Sequence, residues 1–315
     1  MSVVFVKVLE IFAILAIGYI ANKKRILPDE ASPYLVSLLL TVTSPCLILT
    51  STASKKLTED TFVETIYVLV FTTLFFLLGA LLARILMKWL KVGTEEDRGV
   101  LAVIICSVNS GFMGFPISLM IFGQEGFYYM VICNITLTFY LYSLGCLQMG
   151  SNQKEKPRLW DRIRPMCNLC ILSAVIGVFL LFTGIRLPEP VFECMEMIGS
   201  ATIPLAMIVV GVLFGQSDIR GTLTDRNLLK TAFLAMVVWP ALTFGIMYFV
   251  PIPVMPKVII IFSSAFPSAA IVPALAQRQG KNAKLAAQGV SLTTLVSLVT
   301  IPVMAILLIG VYGMV

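Results

Sequence analysis

Histidine is absent from the sequence, and charged residues make up only 13% of its 315 positions. Without an imidazole there is no Ser-His-Asp triad, no His-ligated zinc or haem and no histidine proton relay. Paired carboxylates are missing from the middle of every apolar run, so an intramembrane enzyme has neither its acid and base nor its metal ligands. No metal and no cofactor is expected. Long polar stretches are lacking too. The longest, from Gly150 to about Pro165, is linker-sized, which leaves a single membrane domain over residues 1–315. The first apolar run, about Val3 to Ile20, is followed by Asn22-Lys23-Lys24-Arg25 in place of a small-residue cleavage site, so it is read as a spanning helix. The seven cysteines lie mostly inside apolar runs. Cys167-x-x-Cys170 has no second pair and is read as two small helix residues.

What the chain has in abundance is apolar length. Hydrophobic residues make up 58% of it, more than a water-facing surface accommodates. Runs long enough to cross a bilayer fall at about 3–21, 33–53, 62–87, 98–122, 126–149, 166–184, 191–214, 227–250, 256–277 and 285–312. Their length fits helices, because barrel strands would alternate over about ten residues. With the N-terminus outside, all but five of the 23 Lys and Arg fall in inner loops; the five are Lys7, Lys55, Lys56, Arg186 and Lys257. That bias places both termini outside and supports ten spans, since a missed helix would invert every later loop. The net charge of +6 is accounted for at helix ends, and nucleic-acid binding is not expected. Of the acids, Glu64, Glu193 and Glu196 sit close to helix starts and only Glu10 lies well inside an apolar run; Lys7, one turn earlier near the outer interface, is expected to pair with it or to snorkel. Trp89 and Trp160 read as interfacial anchors, and Gly79-x-x-x-Ala83 as close helix packing.

Five spans per half is an odd number. A repeat of the first half (about 1–150) in the second (about 166–315), across a cytoplasmic linker at about 150–165, must therefore run upside down. Two echoes favour it. Thr43-Ser44-Pro45 and Thr202-Ile203-Pro204 lie in the second and seventh runs, Phe115-Pro116 and Phe266-Pro267 in the fourth and ninth. The fourth run carries Val108-Asn109-Ser110-Gly111-Phe112-Met113-Gly114-Phe115-Pro116, whose glycines and proline are poor at continuing a helix. The ninth carries Ser263-Ser264-Ala265-Phe266-Pro267-Ser268, with Pro273 beyond. In hydrocarbon, freed backbone groups are tolerated only when buried in protein or lining a wet cavity. One broken helix per half is thus the expected address of a midplane site, with N–H ends suited to an anion. The alternative reading is a pair of proline kinks packed by small residues.

Thr43-Ser44-Pro45, the run Asn109 to Pro116, Asn134, Ser264-Ala265-Phe266-Pro267 and the string Thr294 to Pro302 together resemble the auxin efflux carrier family, nearly end to end. The resemblance implies an all-α membrane protein of ten transmembrane helices in two inverted five-helix repeats, with helices 4 and 9 broken and crossing. It further implies a scaffold of helices 1, 2, 6 and 7 that dimerises, and a transport domain of 3–5 and 8–10 that moves as an elevator in the cell membrane. The implied substrates are small organic anions, carboxylates or auxin-like indole acids. Ala269-Ala270-Ile271 departs from relatives that keep an Asn after the helix-9 proline, and the 150–165 loop is short beside that of plant members. The substrate is expected between the breaks, held by Asn109, Ser110 and amides from Gly111 to Gly114. Ser263, Ser264 and Ser268 are expected from the other half, with Thr43 and Asn134 lining. Phe112, Phe115 and Phe266 are expected as walls, and Met113, Pro116 and Pro267 as part of the breaks. The competing expectation is a sodium- or proton-coupled symporter of a bulkier amphipathic solute, as in bile-acid-type relatives. A channel and an intramembrane enzyme are the readings from other classes.

Overall fold

The computed structural model describes residues 2–55, 57–58, 60–150, 168–216 and 219–313. The expected 150–165 linker beyond Gly150, together with Trp160 and Cys167, lies outside them. Every regular element among the described residues is helical. Six helical runs are long and apolar enough to cross a membrane: Asp29–Ala53, Thr61–Trp89, Arg98–Met149, Glu189–Gly215, Arg226–Tyr248 and Ala283–Tyr312. Leu169–Thr183 and Val254–Ser263 are shorter apolar helices.

Numbered along the chain, the helices are α1 (Ser2–Lys23), α2 (Ser32–Leu38), α3 (Ser44–Ala53), α4 (Thr61–Trp89), α5 (Arg98–Cys106), α6 (Phe115–Tyr140) and α7 (Cys146–Met149). The second half has α8 (Leu169–Thr183), α9 (Glu189–Ser200), α10 (Thr202–Gly215), α11 (Ile219–Thr224), α12 (Arg226–Phe233), α13 (Trp239–Tyr248), α14 (Val254–Ser263), α15 (Val272–Arg278) and α16 (Ala283–Tyr312). Proline sets several of the boundaries. Wide π-helical turns at Leu39–Thr43, Ser110–Gly114 and Leu234–Val238 each lead directly into a helix with proline in its second position, Pro45, Pro116 and Pro240. A proline ring displaces the carbonyl four residues back, and an extra residue in that turn relieves the clash. The run Arg98–Met149 has 52 residues, about 78 Å if straight at 1.5 Å per residue, more than two bilayer cores. It is divided at Gly123, whose φ of 66° and ψ of −160° no side-chain-bearing residue adopts comfortably. The chain on either side of Gly123 thus forms separate segments, close to the division at 98–122 and 126–149 that hydropathy suggests.

The helices pack in two groups. In the first, α1 lies along α10, while α8 and α9 pack on α3. Glycines set the approach. A Cβ on Gly18 would stand 2.3 Å from the Ile208 carbonyl oxygen, and one on Gly211 2.1 Å from that of Leu15. Gly199 meets the Leu47 backbone of α3 in the same way, and Gly177 the Thr52 side chain. Small residues let helix backbones touch where lipid supplies no hydrophobic drive for association. In the second group α4 packs on α5 and α6, α6 on α14, and α16 on α12 and α15. Gly79 of α4 makes room for the Trp239 indole, whose ring would lie 2.7 Å from a Cβ there. The second group holds the most thoroughly buried chain, residues 100–110 and 258–269. Of the two options for Lys7, pairing with Glu10 is not the one taken: its ammonium donates to the Met120 carbonyl at 2.6 Å, and Glu10 is exposed. The carbonyl wins because Met120 lies in the last turn before the Gly123 break, where oxygens lack a helical partner.

Candidate functional site

The break after α5 is built by Asn109. Ser107 is extended (φ −76°, ψ 140°), so α5 stops at Cys106. The Asn109 side-chain oxygen then accepts from the Phe112 amide at 3.1 Å, and its carbonyl from the amides of Met113 and Gly114 at 3.3 and 2.9 Å. One residue thus caps the turn that leads to Pro116. The break after α14 is satisfied differently: the hydroxyls of Ser263 and Ser264 fold back on the carbonyls of Ile260 and Ile261 at 2.8 and 2.6 Å. The two broken segments meet. The Asn109 amide donates to the Pro267 carbonyl at 2.7 Å, and the hydroxyls of Ser107 and Ser268 bond at 2.8 Å. The Ser268 amide donates to the Thr293 hydroxyl at 3.1 Å. Each link therefore supplies partners to the other, which is how non-helical chain persists at such depth.

A cavity of about 220 Å³ opens beside this meeting point. Asn109, Gly111, Phe112, Phe115 and Asn134 line it, all five named by the sequence. Ser110 sits behind them and donates to the Asn134 side-chain oxygen at 2.8 Å. Thr43 bonds the Leu39 carbonyl, and Ser263 and Ser264 bond their own turn, so none of these hydroxyls lines the cavity. Ser268 is held by Ser107, and Phe266 packs edge-on against Phe262 at 5.0 Å between centroids; both lie behind the cavity wall. Met113, Gly114, Pro116 and Pro267 shape the breaks without lining the cavity. Ala269, Ala270 and Ile271, with Asn168 and Cys170, form the wall contributed by the second half.

Sequence reasoning missed Ser44, Thr138, Tyr142 and Asn168, which also line it. A signal existed for two of them: Thr138 and Tyr142 follow Asn134 at helical spacing, i+4 and i+8, on one face. Ser44 is the neighbour of the residue chosen, on the other side of the turn. Nothing in the sequence connects Asn168, at the start of α8, to Asn109.

Chemically the site is rich in donors. A backbone N–H can only donate, so the atom of Asn109 facing Phe112 is its oxygen, and the NH₂ points away. Among the described residues that NH₂ has no partner, and neither has the NH₂ of Asn134, whose oxygen is taken by Ser110. The amides of Phe112 to Gly114, expected to face the ligand, are already used by Asn109. No Asp, Glu, Lys or Arg lines the cavity among the described residues. Two carboxamide donors in a lining of apolar and uncharged polar residues, without a competing carboxylate among the described residues, suit a small anion.

The family model described as "Membrane transport protein" matches residues 3–305. An uncharacterized transporter of Methanocaldococcus jannaschii is similar at 25% identity, over 93% of this chain and 95% of its own. An uncharacterized transporter of Methanothermobacter thermautotrophicus is also 25% identical, over 96% and 97%. With the two broken segments in contact and a match spanning almost every helix, the chain belongs to the membrane transport protein family, that of the auxin efflux carriers.

Proposed function

We propose that the chain is a secondary carrier of small organic anions such as carboxylates, with the anion bound at the crossing by the Asn109 and Asn134 amides. The observation that carries this reading is the pair of unpartnered NH₂ groups lining a cavity with no acid. Its volume argues against the bulkier solute. At about 220 Å³ it is smaller than the roughly 300–1,000 Å³ of pockets for drug-sized ligands. In proteoliposomes, labelled malate or indole-acetate should exchange against an internal pool of the same anion, and a labelled bile acid should not. Exchange of the bile acid alone would reverse the assignment.

In this reading the chain crosses the cell membrane ten times as two inverted five-helix repeats. Division of Arg98–Met149 at Gly123, with α1, α8 and the α14–α15 pair counted as crossings, brings the described runs to that number. The first packing group is the scaffold, through which two copies pair, and the second the body that travels as an elevator. Both termini face outward. The cavity runs to Tyr142 and to Asn168, exposed at the start of α8, on the side where the Lys and Arg accumulate, so this is an inward-open state. A cysteine introduced at Gln153 in a cysteine-free background should react with impermeant reagent in inside-out vesicles only. Reaction in intact cells alone would invert the topology.

A further inference from the structure

The outer ends of α1 and α3 carry two lysines, Lys7 and Lys55, that each reach the other packing group. Lys55, just past α3, is 8% exposed. Its ammonium lies 4.7 and 4.3 Å from the ring centroids of Tyr128 and Tyr129, donates to the Tyr129 hydroxyl at 3.2 Å and faces Glu125 at 3.9 Å. The Tyr129 hydroxyl in turn donates to Glu64 of α4, and the hydroxyls of Tyr128 and Thr65 bond at 2.9 Å. Burial lowers the Lys55 pKa, while Glu125 and Glu64 act to keep the ammonium charged. Lys7 of α1 reaches the Met120 carbonyl, in the last turn before Gly123.

Both contacts cross between the packing groups. The lysines belong to helices of the first group, and their partners to α4 and α6 of the second. Among the described residues, the bonds of Gln216 to Asp29 and Cys170 to Leu40 stay inside the first group, and those of Thr136 to Thr72 and Gln148 to Ala80 inside the second. A buried ammonium held by two π faces, a phenol and a carboxylate is stable only while those partners remain in place. Sliding of one group past the other would strip it.

We propose that Lys7 and Lys55 are a latch that closes the outer face while the cavity is open to the opposite side. The proposal rests on the alternating-access reading above, but not on which anion is carried. Opening to the outside requires that Lys55 leave the Tyr128–Tyr129–Glu125 cage and Lys7 leave the Met120 carbonyl. Removal of either therefore raises the outward-open population, because the lost contacts favour one state only.

Cysteine accessibility tests this without any substrate. Gly111 lines the cavity, and a Cβ there meets only the Asn134 oxygen at an ordinary 3.7 Å, so Gly111→Cys in a cysteine-free background is a tolerable reporter. Labelling from outside by an impermeant maleimide should rise at least fivefold in Lys55→Met and in Lys7→Met. A smaller rise is expected in Glu125→Gln, which keeps the tyrosines and remains informative should Lys55→Met not fold. Rates within twofold of the parent in every folded variant would overturn the latch. Failure of anion exchange with the rise intact would overturn the proposed cargo and leave the latch standing.

Discussion

Asn109→Asp is expected to reduce anion binding at neutral pH by at least a hundredfold while the protein still folds. Aspartate keeps the oxygen that accepts from the Phe112 amide, and the backbone bonds to Pro267, Met113 and Gly114 are untouched. Only the outward NH₂ changes, from donor to carboxylate oxygen. Loss of a hydrogen bond to a charged ligand costs about 1.5–3 kcal/mol. Repulsion between two anions about 4 Å apart adds roughly 4 kcal/mol at an effective dielectric of 20. The introduced carboxyl, once protonated, donates again, so binding by the variant should recover as pH falls, the sign opposite to simple acid damage. Asn109→Ala should lose about ten- to a hundredfold without that recovery. Isothermal titration of the exchanged anion against both variants, from pH 5 to 8, measures this. Unaltered affinity in Asn109→Asp would move the site away from the crossing.

Gly211→Val is expected to prevent recovery of folded, monodisperse protein. A first added carbon already stands 2.1 Å from the Leu15 carbonyl oxygen, and the backbone of Tyr19 follows at 2.8 Å. Backbone on a facing helix cannot swing aside as a side-chain tip does, so α1 and α10 must separate along their contact. Overpacking a core typically costs about 1–3 kcal/mol, and here the displaced atoms belong to a whole helix. Gly211→Ala should show a lowered melting temperature in detergent. Gly245→Ala and Gly310→Ala, where an added Cβ meets nothing within 4 Å, should leave it unchanged or raised. A Gly211→Val protein that elutes and melts as the parent does would show that the two helices are not so closely apposed.

The placement of helices was legible because a bilayer imposes a length on each apolar run, and few charges interrupt them. The helix breaks were legible because proline and glycine act locally, wherever the chain goes afterwards. Pro45, Pro116 and Pro240 each mark a widened turn. Asn109 and Asn134 stood out as carboxamides in otherwise apolar runs, and both line the cavity. The serine hydroxyls were less readable. In a helix a serine can bond the carbonyl one turn back or reach across to a ligand, and sequence does not distinguish the two. Ser263 and Ser264 took the local option, while Ser107 and Ser268 found each other 161 residues apart.

The sequence by itself therefore determined that this is a multi-pass helical membrane protein, where its helices break and which side chains near the breaks are polar. Those features depend on hydropathy and on the backbone limits of proline and glycine, and both act within one or two turns. Tertiary structure alone decided through which atoms the two breaks meet, which NH₂ groups remain unpartnered among the described residues and where the cavity opens. It also decided that Lys7 turns from Glu10 to Met120, and Lys55 to a cage of tyrosines. These outcomes are competitions between partners distant in the chain. Their energies depend on distances and desolvation that exist only once the helices have packed.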